Sequence, residues 1–218
     1  MALAHKPQVY AGLPSLHDAV GRFDAGTGQQ VLENAIRSLF ERNPHMAAKF
    51  GVGLLHRHFD MADDEILVEH GSTSVPWNMP SNPDDYMGGR ILPRSWCFSP
   101  ENNGLEPYEY EFRAHGEPGM PIDPLVHPDF VHELQDILDA HGLTSTLGLM
   151  SVPPDYITGA GIGSVFCEKT FGRANVVFNV RRETLKDKRN RTSIWVFGRS
   201  EGSGQDALLC LEGCVCRF

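Results

Sequence analysis

Two histidines placed two residues apart, His56 and His58, are the part of the sequence best suited to chemistry. The stretch 53–59, Gly-Leu-Leu-His-Arg-His-Phe, reads as extended backbone, where side chains at i and i+2 leave the same face, so both imidazoles can reach one point. Imidazole binds Zn, Fe, Ni or Cu, and a carboxylate beside two histidines completes a facial triad with open positions for substrate. Asp60 continues the row, and Glu65 and Glu69, on a returning strand over 65–70, are the natural suppliers of that carboxylate. The metal set is therefore His56, His58, Glu65 and Glu69, and the cofactor it would take is a divalent metal, Zn or Fe. Without a metal, His56 or His58 can act as a general acid or base near neutral pH. The plain alternative is a pair of hydrogen-bonded histidines on a partly exposed sheet face, because His-x-His is a short pattern that recurs by chance.

The order Gly53, His56, His58, Glu65, Gly71 resembles a loose form of the first cupin motif, in which a His-x-His pair and a following glutamate bind a metal inside a β-barrel. Six residues separate His58 from Glu65 here, and no second motif with a later histidine follows.

Other patterns compete less well. Cys210, Glu212, Cys214 and Cys216 would share one face of a terminal strand, but the spacing lacks paired Cys-x2-Cys knuckles and a fourth ligand, so small buried thiols are the simpler reading. Gly159 to Ser164 has the look of a dinucleotide loop, yet strand character follows where a capped helix is required. The basic run from Arg181 to Arg191 reads as a solvated turn between strands.

The elements that must position the histidines follow from periodicity. A helix is expected over 28–42, with Thr27 and Gln30 at capping-box spacing and an apolar stripe of Val31, Leu32, Ala35, Ile36, Leu39 and Phe40. A second helix runs from Pro128 to about His141, with Phe130, Val131, Leu134, Ile137 and Leu138 buried and Gly142 as its stop. Strands are expected at 53–59 and 65–70, joined as a β-hairpin through the polar residues 61–64. Further strands fall at 95–99, 108–113, 146–152, 164–167, 174–180, 193–198 and 207–216. The expected fold is a single α+β domain over 1–218, a largely antiparallel sheet with two main helices packed on one face and two similar helix-then-strand halves. Residues 71–92, rich in proline and glycine, are expected to be irregular.

Bulk properties restrict the partners. A formal net charge of −9 repels phosphate backbones and anionic lipid, so general nucleic-acid binding is disfavoured. No apolar run approaches the roughly twenty residues that cross a membrane. Met1 to Tyr10 lacks the apolar stretch of a secretory signal, and five scattered cysteines suit a reducing, cytoplasmic setting. The leading expectation is a soluble enzyme acting on a small-molecule substrate at His56 and His58. The alternative is a non-catalytic adaptor or regulatory domain that docks a protein partner through 71–92, with Trp77 and Tyr86 as anchors.

Overall fold

The computed structural model describes residues 6–99, 104–117, 123–152, 164–181, 183, 190–199 and 208–217. Among them are strands β1 (Phe50–Leu54), β2 (Glu65–His70), β3 (Thr73–Asn78), β4 (Gly89–Ser99), β5 (Gly104–Ala114), β6 (Leu147–Ser151), β7 (Ser164–Phe171), β8 (Ala174–Arg181), β9 (Asn190–Arg199) and β10 (Leu208–Arg217). They are hydrogen-bonded in the order β1-β6-β4-β5-β2-β3-β8-β7-β10-β9. Strand β9 then pairs back onto β1 through Gly51↔Val196, Val52↔Trp195 and Gly53↔Ile194. The result is one mixed sheet curled into a barrel, with β2 parallel to β5 and β10 parallel to β7.

The helices are small. They are α1 (Pro7–Ala11), α2 (Leu16–Ala25), α3 (Gly28–Val31), a π-helical turn (Leu32–Ile36), α4 (Arg37–Arg42), α5 (Pro44–Ala47) and α6 (Pro128–Ala140). The expected helix over 28–42 is present but carries the π turn in its middle. The Asn34 side chain donates to the Gln30 carbonyl at 2.7 Å, the acceptor that the Asn34 backbone N–H would take in an α-helix. Thr27 makes no side-chain cap. The working cap belongs instead to α2, where Ser15 Oγ accepts from the Asp18 N–H at 3.2 Å.

Two features of the expected fold are corrected. A largely antiparallel sheet with two main helices on one face is replaced by a curled mixed sheet with several small helices, and the two helix-then-strand units are not halves of the molecule, since β1 and β6 are adjacent members of one ring. The hairpin between 53–59 and 65–70 does not form: β2 pairs with β3 and β5, and β1 with β6 and β9. The chain leaves the sheet after Leu54 because the N-terminal arm captures it. The Arg57 N–H donates to the Pro14 carbonyl at 2.9 Å and Arg57 bridges in parallel to Ser15, which removes the backbone groups a hairpin would use. The segment 71–92 is likewise partly regular, containing β3 and the start of β4.

The core lies mainly outside the barrel. Phe50, Val52 and Leu54 of β1, Leu147 and Leu149 of β6, Trp96 and Phe98 of β4, and Trp195 and Phe197 of β9 pack beneath the helices against Phe23, Leu39, Phe40, Phe130 and Leu134. On the far side, Ile66, Val68, Ile91 and Tyr110 form a second outer cluster, covered by Trp77, Tyr86 and Phe112. With both apolar layers on outer faces, the inner face can carry polar side chains.

The inward turn after β1 depends on two facing glycines, Gly53 and Gly148. A Cβ on Gly148 would stand 2.5 Å from the Trp96 carbonyl oxygen and 2.6 Å from Leu55 Cδ2, so its absence lets Leu55 fold over the strand and bring His56 inward. Gly148→Ala is expected to destabilise the protein by about 1–3 kcal/mol through overpacking, read as a lower urea midpoint at unchanged m-value.

Candidate functional site

His56 and His58 sit on the short segment that follows β1 into the barrel. The backbone at Arg57 is held extended by its bridge to Ser15, so the two imidazoles flank it on the same side, with ring centroids 4.8 Å apart. The His58 N–H donates to the Tyr10 hydroxyl at 3.1 Å, fixing the segment from the N-terminal side. Both rings are buried: the side chains of His56 and His58 are 8% and 7% exposed.

Around them the barrel gathers three glutamates and an arginine. Glu109 of β5 places Oε1 3.4 Å from His58 Nε2, and its Oε2 accepts from Ser95 Oγ at 2.8 Å. Glu168 of β7 places Oε1 3.8 Å from His56 Nε2 and accepts from Asn175 Nδ2 and Ser193 Oγ, each at 3.0 Å. Glu69 of β2 forms an ion pair with Arg94 of β4. Arg94 reaches the interior through a bulge: the register runs from Pro93↔Tyr110 to Ser95↔Glu109, leaving Arg94 as the extra residue. The next pair, Trp96↔Pro107, leaves Tyr108 extra on the opposite strand, and Tyr108 also lines the interior.

The electrostatics separate the two histidines. Burial lowers the pKa of His56 below the usual imidazole value, and the charge of neighbouring His58 lowers it further; Glu168 only partly compensates. Its Nδ1 lies 2.9 Å from the Leu54 carbonyl, which can only accept, so the neutral ring carries its proton there and its lone pair on Nε2. Burial also opposes charge on His58, but the hydrogen bond to Glu109 and the charges of Glu168 and Glu109 outweigh it and raise its pKa. Glu109 shows the reciprocal effect, with burial overcome by His58, Arg94 and Ser95 so that its carboxyl is held below the ordinary range. The surroundings thus favour the neutral form of His56 and the charged form of His58. Glu69 is pushed up by burial against the opposing pull of Arg94.

Two spaces open on these groups. The inner cavity, about 20 Å³, has room for roughly one water. A larger cleft of about 260 Å³ lies outside it, between the start of α2 and β7, and is lined by His56, His58, Glu168 and Asn175 together with Arg57, Lys169 and Thr170. The imidazoles thus stand between the cleft and the buried carboxylates.

The sequence-derived residues are only partly brought together. His56 and His58 converge as expected from their spacing. Glu65 lies elsewhere, accepting from the Ala62 N–H and paired with Arg173, and Asp60 is exposed beside Arg57. Glu69 is inside the barrel but is tied to Arg94. Among the described residues no group of three or more His, Cys, Asp or Glu side chains is arranged to hold a metal ion. Glu109, Glu168, Arg94, Asn175 and Ser193 were not legible as site residues, although a run of aromatics alternating with Glu109 and Glu111 marked the strand that carries one of them.

Burial pushes the Cys97 thiol up to about 11, which keeps it protonated. Strand β10, which bears Cys210, Cys214 and Cys216, has a register shift between Glu212 and Cys214. The glycine loop 159–163 and most of the basic run 181–191 lie outside the described residues. The pattern Gly198-Arg199-Ser200-Glu201-Gly202 has the form of a nucleophile elbow, but residues 200–207 lie outside the described residues. Trp77 packs on both Tyr86 and Phe112, as part of the outer cluster. No helix among the described residues is long and apolar enough to cross a membrane.

Titration of the ring signals by NMR is expected to give His58 a midpoint above 6.5 and His56 one below it. Glu109→Gln should bring the His58 midpoint down. The same variant removes a pH-dependent part of the stability: the Glu109 contribution is present above 4.5 and lost as pH falls through its lowered pKa, and the His58 contribution is present below 6.5 and lost as pH rises through its raised one. The difference in unfolding free energy between wild type and Glu109→Gln should therefore peak between pH 4.5 and 6.5 and shrink on either side. Compared with protein-family models, with curated proteins and with solved structures, the chain matches none.

Proposed function

We propose that the protein is a small-molecule enzyme that moves protons, with His56 as general base and His58 as general acid. The observation that carries this reading is the pair of buried imidazoles, 4.8 Å apart, whose surroundings push their proton affinities in opposite directions at the floor of an open cleft. Titratable neighbours held in opposite protonation states are the usual arrangement for acid–base catalysis at one pH, because one takes a proton while the other gives one.

The roles follow from the contacts. The Leu54 carbonyl fixes the tautomer that leaves His56 Nε2 basic. Glu109, oriented by Ser95, keeps His58 charged and turned towards the carboxylate. Glu168, held by Asn175 and Ser193, offsets the positive charge that His56 acquires when it takes a proton. Substrate entering the cleft meets both rings, and the chemistry such a pair performs is removal of a proton at one atom with return of a proton at a nearby one, as in isomerisation or elimination next to a carbonyl. Each positioned group contributes about 10²–10⁴-fold to such a step. A reducing, cytoplasmic setting suits the Cys97 thiol.

The test is deuterium uptake from D2O into a panel of small enolisable ketones, followed by proton NMR. The protein is expected to accelerate uptake for at least one member. His56→Ala, checked for folding by circular dichroism, should lose about 10²-fold or more of it. The rate should rise as pH climbs past the His56 midpoint and fall again beyond the His58 midpoint. A panel that exchanges no faster with the protein than without it, or a folded His56→Ala variant with undiminished exchange, would overturn the reading. Stoichiometric metal that disappears in the His56→Ala/His58→Ala variant would replace it with chelation.

A further inference from the structure

The cleft above the histidines is charged in the opposite sense to the rest of the molecule. The chain as a whole carries a formal charge of −9, yet the charged side chains around this cleft are Arg57, Lys169 and the ionisable His17, with Glu168 as the acid at its floor. Arg57 is held at the rim from below by its backbone bond to Pro14; its guanidinium donates to the Ala11 carbonyl at 3.4 Å and is paired with Asp60, whose side chain is 88% exposed. An ion pair that open to water contributes little and exchanges readily for another anion. Lys169, which lines the cleft, has its Nζ 4.6 Å from the centre of the Phe171 ring. The volume, about 260 Å³, is just under the roughly 300 Å³ at which pockets for drug-sized ligands begin.

We infer that the substrate is a small carboxylate-bearing molecule, whose carboxylate is bound at the rim by Lys169 and Arg57 while its reacting carbon is presented to His56 and His58. This rests on the acid–base reading above and adds to it the class of molecule. A carboxylate matches the planar donor fork of Arg57, and Lys169 adds a point charge on the opposite wall. Anchoring one end in this way converts the encounter with the imidazoles into a positioned one, which is the larger part of what a small site can contribute. The same geometry selects against neutral analogues, since the two cations would then face water with nothing gained.

The experiment uses the full chain and compares pyruvate, crotonate and benzoate with pyruvamide, crotonamide and benzamide, binding being read from the ring signals of His56 and His58 and from calorimetry. At least one acid is expected to bind about tenfold or more tightly than its amide. That preference should shrink in high salt. Lys169→Met and Arg57→Met should each weaken the acid by about tenfold and leave the amide unchanged. Acids and amides that bind equally, or no binding by any of the six, would overturn the inference, as would full acid binding by the Lys169→Met/Arg57→Met double variant. The outcome is separable from that of the acid–base reading. Exchange into neutral ketones that depends on His56, with no preference for acids, would remove the carboxylate and keep proton transfer. Tight acid binding with exchange indifferent to His56→Ala would do the reverse.

Discussion

A charged imidazolium cannot be buried alone, and much of this site follows from the way that cost is met. Taking His58 and Glu109 out of water is unfavourable for each, and becomes tolerable only because they face one another and Ser95 occupies the second carboxylate oxygen. The same requirement recurs at Glu168, which is satisfied by Asn175 and Ser193, and at Glu69, which is satisfied by Arg94. These glutamates and their partners come from six strands, with Arg94 and Ser95 both on β4. A network of this kind therefore exists only when β2, β4, β5, β7, β8 and β9 are all in register, which couples the integrity of the sheet to the protonation state of its interior.

Curling of the sheet is what makes a polar interior affordable. In a flat sheet with one face on a core and one in water, buried polar residues would displace apolar ones. Here the apolar faces are turned outward and covered twice, by the helices over β1, β4, β6 and β9 and by the Trp77, Tyr86 and Phe112 layer over β2 and β5. The inner face is relieved of building the core. Part of the interior is nevertheless apolar: Met150, Val152, Ile194 and Val196 form one cluster, and at one end Tyr10 and Leu13 from the N-terminal arm meet Leu55, Leu67 and Tyr108. That arm does two things at once: it closes the end of the barrel and holds, through Pro14, Ser15 and Tyr10, the segment that carries the histidines.

Local departures from regular structure sit where the site needs them. The double bulge in β4 and β5 admits Arg94 and Tyr108 to the interior, and the facing glycines Gly53 and Gly148 let the chain turn inward after β1. Each weakens a ladder or a helix-covered strand slightly, and each redirects a side chain that regular alternation would have sent the other way. The difference between His56 and His58 is of the same origin. Two identical side chains acquire opposite tendencies because one faces a backbone carbonyl and a charged neighbour, and the other faces a carboxylate.

By itself the sequence determined local matters. The apolar stripe from Phe130 to Leu138 specified α6, Pro128 and Gly142 bounded it, and the two-residue spacing of His56 and His58 ensured that the rings would share a side wherever the backbone at Arg57 stayed extended. Capping was less legible: the spacing pointed to Thr27, which makes no side-chain cap, whereas Ser15 caps α2. Which way each strand faced was decided only in three dimensions. Alternation between Tyr108, Tyr110, Phe112 and Glu109, Glu111 reveals two faces but not which is inside, and in this barrel Tyr110 and Phe112 face outward while Glu109 faces in. Strand partners were equally hidden, because the short connection from 59 to 65 favours a hairpin by proximity, whereas the N-terminal arm, more than forty residues earlier in the chain, competes for the same backbone groups and wins. Pairings over such separations depend on closure of the whole sheet, and no window of local sequence contains that information.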